Sequence, residues 1–156
     1  MILGNYGENF WIRSGANLIG IWANNSHEVI YFIATRDAAG QPLDGSHTYE
    51  LHFHKDALPQ NVVEAFWSVH LVGVPDFMPV PNRLDRFMLS THSNTQTNDD
   101  GSLTLVLGPE PVAGVPEANW LPTAPGKLFS LNWRTYVPKE IVRRGEWFPP
   151  AVAKRD

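Results

Sequence analysis

HTYELHFH, residues 47–54, alternates without a break. Tyr49, Leu51 and Phe53 project to one side and Glu50, His52 and His54 to the other, the two-residue period of a strand with one apolar and one polar face. KLFSLNWRTYV, residues 127–137, repeats the pattern, with Leu128, Ser130, Asn132 and Arg134 opposed to Phe129, Leu131, Trp133 and Thr135. SLTLVL, residues 102–107, alternates again. EVIYFIAT, residues 28–35, is β-branched and aromatic with no breaker, and reads as a well-buried strand. EAFWSVHLVGV, residues 64–74, is another strand, and residues 86–90 suit a short one.

The segments between these strands carry turn chemistry. Asp37 to Gly40, Pro42 to Gly45 and Asp99-Asp100-Gly101 are turn signals. Residues 75–81 are proline-rich and irregular. Residues 109–125 hold five of the thirteen prolines, so a long ordered loop is expected there. Before the first strand, Phe10, Trp11, Ala16, Leu18, Ile19 and Trp22 recur near the helical period, which predicts a helix over 6–24, weakened by Gly15 and Gly20. Residues 138–144 predict a short helix, with Pro138 at its first position, Arg143 and Arg144 at its negative end and Gly145 as its cap. Trp147 and Phe148 then return to the core.

The expectation is a mainly β domain: a jelly-roll-like antiparallel β-sandwich with an N-terminal helix and a short C-terminal helix. Residues 1–26 form the helical segment, 27–150 the sandwich and 151–156 a tail. The 156 residues fit one domain. Charged residues make up 18%, below the roughly 25% of soluble domains, and aromatics 12%, which argues against disorder. The net charge of −4 and the lack of a basic patch argue against nucleic acid as a partner. No apolar run reaches the length of a membrane span. With no cysteine, thiolate nucleophiles, disulfides and Cys-based zinc sites are excluded. Residues 1–5 show no export signal, so a cytoplasmic protein is expected, or a periplasmic one if the chain is cut from a longer exported protein.

The motifs, in order, resemble a known family. They begin with Gly4-Asn-Tyr-Gly7 and a helix with Arg13, and continue through Gly40-Gln-Pro-Leu-Asp-Gly45, Tyr49-Glu-Leu-His-Phe53, Ala65-Phe-Trp-Ser68 and Asn82-Arg-Leu-Asp-Arg-Phe87. Asp100-Gly-Ser-Leu103, Asn119-Trp-Leu-Pro122, Arg134-Thr-Tyr-Val-Pro-Lys139 and Gly145-Glu-Trp-Phe-Pro-Pro150 complete the series. Their order and spacing resemble the bacterial domain of unknown function 1214, usually the C-terminal half of proteins that also carry a domain of unknown function 1254. The resemblance implies a β-sandwich, and no settled activity comes with it. It also implies a partner domain not present in this chain. The chain departs from the family after Trp67-Ser68, where it reads Val-His70-Leu-Val-Gly in place of a hydroxyl-and-aromatic continuation.

Several residue sets are candidates for chemistry. His52 and His54 share one strand face, with Cα atoms about 7 Å apart, the way jelly-roll metal sites begin. A third ligand from Glu50, Glu64, His70 or His92 would be needed, and the plainer reading is a solvated strand face. No cofactor is otherwise expected. Ser68 and His70 are neighbours at i, i+2, a hydroxyl and an imidazole without a nucleophile-elbow sequence. Arg134, flanked by Asn132 and Ser130, suits a carboxylate, as does Arg86, unless each is held in an ion pair. Trp120 with Asn119 fits either a sugar platform or a plug that pins the long loop. The expected site is His52, His70 and Arg134 as catalytic groups, with Arg86, Trp67, Trp120 and Asn119 binding the ligand. Two function classes fit: a small-molecule enzyme using histidine acid/base chemistry on a carbonyl or carboxylate, and a non-catalytic carbohydrate-binding or protein-interaction module. Six tryptophans and open strand edges also suit a homo-oligomer or a separate partner subunit.

Overall fold

The computed structural model of the chain describes residues 4–19 and 23–155. Within them lie the helices α1 (Phe10–Ile19) and α2 (Glu140–Arg143) and eight strands. The strands are β1 (Val29–Ala34), β2 (Tyr49–Phe53), β3 (Trp67–Gly73), β4 (Met88–Ser90), β5 (Leu103–Gly108), β6 (Trp120–Pro122), β7 (Phe129–Tyr136) and β8 (Ala153–Lys154). They form two four-stranded sheets, in the orders β1-β7-β3-β4 and β6-β5-β2-β8. No helix among the described residues is long and apolar enough to cross a membrane.

Alternation decides which side chains the sheets trap between them. In the first sheet, β7 is central and pairs antiparallel with β1 and β3. Its Phe129, Leu131, Trp133 and Thr135 are buried, as the sequence pattern requires. Thr135 is the polar member of that row, and its hydroxyl donates to the Ile30 carbonyl at 2.9 Å, so its burial leaves no hydroxyl unpaired. In the second sheet, Tyr49, Leu51 and Phe53 of β2 pair with Leu107, Leu105 and Leu103 of β5, all buried. The sheets meet through aromatic rings. Phe53 lies 5.1 Å from Trp133 and Tyr49 meets Phe129 edge-on at 5.9 Å, while within the first sheet Trp67 stacks on Trp133 at 4.9 Å. Each fully buried aliphatic side chain in this layer contributes roughly 1.5–3 kcal/mol.

The structure differs from the sequence expectations at several elements. The helix starts at Phe10, where the Asn9 side chain accepts from the Ile12 N–H at 3.1 Å, and residues 6–9 and 23–24 are not helical. Residues 20–22 of the expected helix lie outside the described residues. β1 is an edge strand, not a well-buried one, and Tyr31 and Ile33 are exposed. β5 and β6 run parallel, whereas an antiparallel arrangement was expected throughout. Of the expected 151–156 tail, residues 153–155 are bound to the fold: β8 pairs with β2, Arg155 donates its N–H to Thr48 O at 2.9 Å, and its side chain meets Glu50 at 3.0 Å. The short helix begins after Lys139, so Pro138 precedes the cap. Gly145 does end it, at φ +72°. Its N–H bonds to the Val142 carbonyl and the Glu146 N–H to that of Ile141, the paired bonds of a Schellman motif. Trp147 is buried and donates to the Ala57 carbonyl at 3.0 Å, while Phe148 stays largely exposed.

Candidate functional site

The outward face of the first sheet collects polar side chains because directly paired residues of an antiparallel sheet share a face. One cross-strand row runs Tyr31, Arg134, Ser68, Ser90 across β1, β7, β3 and β4. The next runs Ile33, Asn132, His70, Met88. The strand grammar that buried Trp133 and Val69 inward therefore places Arg134, Asn132, Ser68 and His70 together.

Within that patch, His70 Nε2 lies 3.1 Å from Ser68 Oγ. Burial, reinforced by the neighbouring Arg134 charge, pushes the His70 imidazole down to a pKa of about 4. It is therefore neutral at neutral pH. Ser68 is itself buried, and no carboxylate hydrogen-bonds His70 among the described residues, so the pair lacks the third member of a hydrolytic triad. The Arg134 guanidinium carbon lies 5.8 Å from the Tyr31 ring centroid, a cation–π contact. Its Nε is buried with no hydrogen-bond partner, and no carboxylate pairs with it among the described residues. Tyr31 is held above its usual phenol range by burial and by Tyr136, against the opposing pull of Arg134. Beside this group, Tyr136 stacks on Phe66 at 4.1 Å.

The remaining expected site residues lie elsewhere. His52 is on the outer face of the second sheet, across the sandwich from His70 and Arg134. It is exposed, its Nδ1 lies 3.0 Å from Thr104 Oγ1, and its ring lies 5.3 Å from that of His54. Of the third-ligand candidates, Glu50 pairs with Arg155, Glu64 with Lys139, and His70 is on the other sheet. No group of three or more metal-ligating side chains gathers among the described residues. Arg86 donates to the carbonyls of Glu117 and Trp120 at 2.6 and 2.9 Å and pairs with the Glu117 carboxylate at 3.7 Å, so it ties down the long loop. Asn119 is wholly buried, accepting from the Gln96 N–H and donating to the Gln96 and Thr104 carbonyls. Trp120 is buried and donates to the Gly108 carbonyl, leaving no open ring face for a sugar. Trp67 belongs to the core and also borders a hollow with Thr91, Thr95 and Thr97. Asp100 accepts from the Ser102 N–H and hydroxyl in a plain turn, which holds its carboxyl below the usual range.

Tyr31 is the member of the patch that sequence reasoning missed. Its signal was present, since Ile30, Phe32 and Ala34 alternate with Tyr31 and Ile33, but a run with no charged residue reads as buried on both sides.

The family model described as "Protein of unknown function (DUF1214)" matches residues 28–140. The chain belongs to the DUF1214 family. No curated protein matches it significantly. Among solved structures it is similar to the VPA0106 protein from Vibrio parahaemolyticus, with 26% identity and a TM-score of 0.76 over 93% of this chain and 35% of that one. A putative uncharacterized protein from Burkholderia cenocepacia shares the fold at 17% identity and a TM-score of 0.53, over 81% of this chain and 29% of that one. This DUF1214 chain thus spans about a third of the length of the solved structures it matches.

Proposed function

We propose that this DUF1214 domain binds a small molecule through the outer face of its first sheet, with Arg134 gripping a carboxylate or carbonyl oxygen and His70 acting on the ligand beside it. The observation that carries this reading is Arg134, a half-buried guanidinium with no carboxylate partner among the described residues. A cation taken partly out of water without an anion is costly, and an anionic ligand would offset that cost. Neutral His70 suits the task in a specific way. With a pKa of about 4, it offers a proton-free ring nitrogen as base or a neutral N–H as donor to a carbonyl, and is a poor proton source at neutral pH. His52, across the sandwich, takes no part.

Titration calorimetry with pyruvate, which carries both oxygen types, tests this. Saturable binding is expected, weakened about tenfold in Arg134→Gln, the loss of one charge-assisted hydrogen bond, and unchanged in His52→Ala. Undiminished binding in a folded Arg134→Gln variant, or no binding by the parent protein, would sink the reading.

One observation favours an interaction module as a second reading. Phe10, Trp11 and Leu18 of α1 are 67%, 90% and 90% exposed, and such an apolar helix face suits a partner subunit or the companion domain of a two-domain protein. Sedimentation would show association that Trp11→Glu abolishes. A monomer at high concentration would argue against self-association.

A further inference from the structure

The two sheets part along one side, where β1 is the free edge of the first sheet and β8 that of the second. The chain segment 148–152 crosses this opening and leaves a cavity of about 210 Å³ beneath it. Its inner wall is core: Leu51 from β2, Val69 from β3, and Leu131 and Trp133 from β7. Its rim is formed by Ile33 and Phe148, which are 66% and 62% exposed. Ten of the eleven side chains around it are wholly apolar, and the eleventh, Trp133, adds one indole N–H; none carries a charge, hydroxyl or amide.

We propose that this cavity is a second binding site, separate from the Arg134 patch, and that it takes an uncharged apolar molecule of about one aromatic ring. Three features carry the proposal. The first is depth: a cleft open at its rim reaches in to core side chains, where interiors otherwise pack as densely as organic crystals. Water gains little there, because a bound water needs two or more polar partners and the walls offer a single side-chain donor, the buried and unpaired Trp133 indole N–H. The volume suits one ring, since an apolar cavity of roughly 150 Å³ holds benzene, while larger drug-like ligands need about 300 Å³ or more. Ala34, the smallest lining side chain, stands opposite Leu131 in the ladder and leaves the entrance wide. The exposed Phe148 ring lies edge-on to Phe32 at 5.7 Å and stands where it covers a bound ring.

Methyl-resolved NMR titration of the whole chain with ethylbenzene tests this, with benzoate as the charged comparison. Ethylbenzene should shift the methyl signals of Leu51, Val69 and Leu131 saturably, and benzoate should leave them in place. Ala34→Leu, which puts a branched side chain into the cavity, should weaken ethylbenzene binding about tenfold or more. Phe148→Ala alters only an exposed ring and leaves the core intact, so it serves if Ala34→Leu fails to fold. It should weaken binding about threefold or more. Unsaturable or absent methyl shifts would overturn the proposal. So would equal displacement by benzoate, or full ethylbenzene affinity in a folded Ala34→Leu or Phe148→Ala variant.

Discussion

Asn119 shows how a single buried amide can hold a loop without serving a ligand. It makes three hydrogen bonds while wholly buried, so truncation removes the partner of the Gln96 N–H and of two carbonyls at once. Asn119→Ala should cost about 2–4 kcal/mol in denaturant unfolding, as expected for a broken buried network. His70 makes a different kind of prediction. Its folded pKa of about 4 lies below the unfolded value of 6.5. Between those values the unfolded chain binds a proton that the folded chain does not, so acidification through that window favours unfolding. The loss begins as the pH falls below the unfolded value and is complete near the folded one. Thermal melts at about pH 7 and about pH 4.5 should therefore show a smaller drop for His70→Gln than for the parent chain. An equal drop would remove His70 as a contributor. The Ser68–His70 pairing was legible in the sequence because i, i+2 neighbours on a strand share a face. The isolation of Arg134 was not, because it depends on which carboxylates three other strands bring near. For Arg86 the ion-pair alternative, with Glu117 among its candidate partners, is the one the structure shows, across 31 residues of chain.

Strands were read best where apolar and polar residues alternate. β2, β5 and β7 fall where the pattern put them, since a two-residue period is a direct image of one buried and one outward face. β1 was read as well buried because Tyr31 and Ile33 are apolar by composition, although their side of the strand is exposed. The parallel β5–β6 pair and the two-residue β8 had no sequence signature, since parallel register and edge pairing are set by tertiary packing. Connections carry their own constraints. Gly45 is buried, and a Cβ built there would lie 2.2 Å from the Ala124 carbonyl oxygen. The carbonyl of Gly45 also accepts from Thr123 Oγ1 at 2.7 Å, so the two loops are clamped at backbone distance. Gly45→Ala should therefore cost more than about 3 kcal/mol or prevent folding. Gly145→Ala, whose added Cβ meets nothing closer than 3.7 Å, should cost only about 1 kcal/mol, for the left-handed backbone alone. Comparing the two variants by thermal denaturation separates close approach from conformational strain.

At the scale of the whole molecule, the sandwich has two outward faces with different chemistry. The expected union of His52 with His70 and Arg134 fails for a topological reason: β2 belongs to one sheet and β3 and β7 to the other. No local pattern in the sequence assigns strands to sheets, so strand faces were legible while their partnership across the fold was not. The C-terminal residues make the same point and can be tested. β8 covers the outer edge of β2, Val152 is buried between the sheets, and Arg155 anchors the segment to Thr48 and Glu50. Truncation after Pro150 removes one buried aliphatic side chain, worth roughly 1.5–3 kcal/mol, together with a short ladder and a half-exposed ion pair of small value. It also bares β2, whose unpaired N–H and C=O groups form a template for another chain. The truncated protein should melt several degrees lower and elute earlier in size-exclusion chromatography as concentration rises. Unchanged melting and elution would mean that 151–155 lie against the sheet without sealing it.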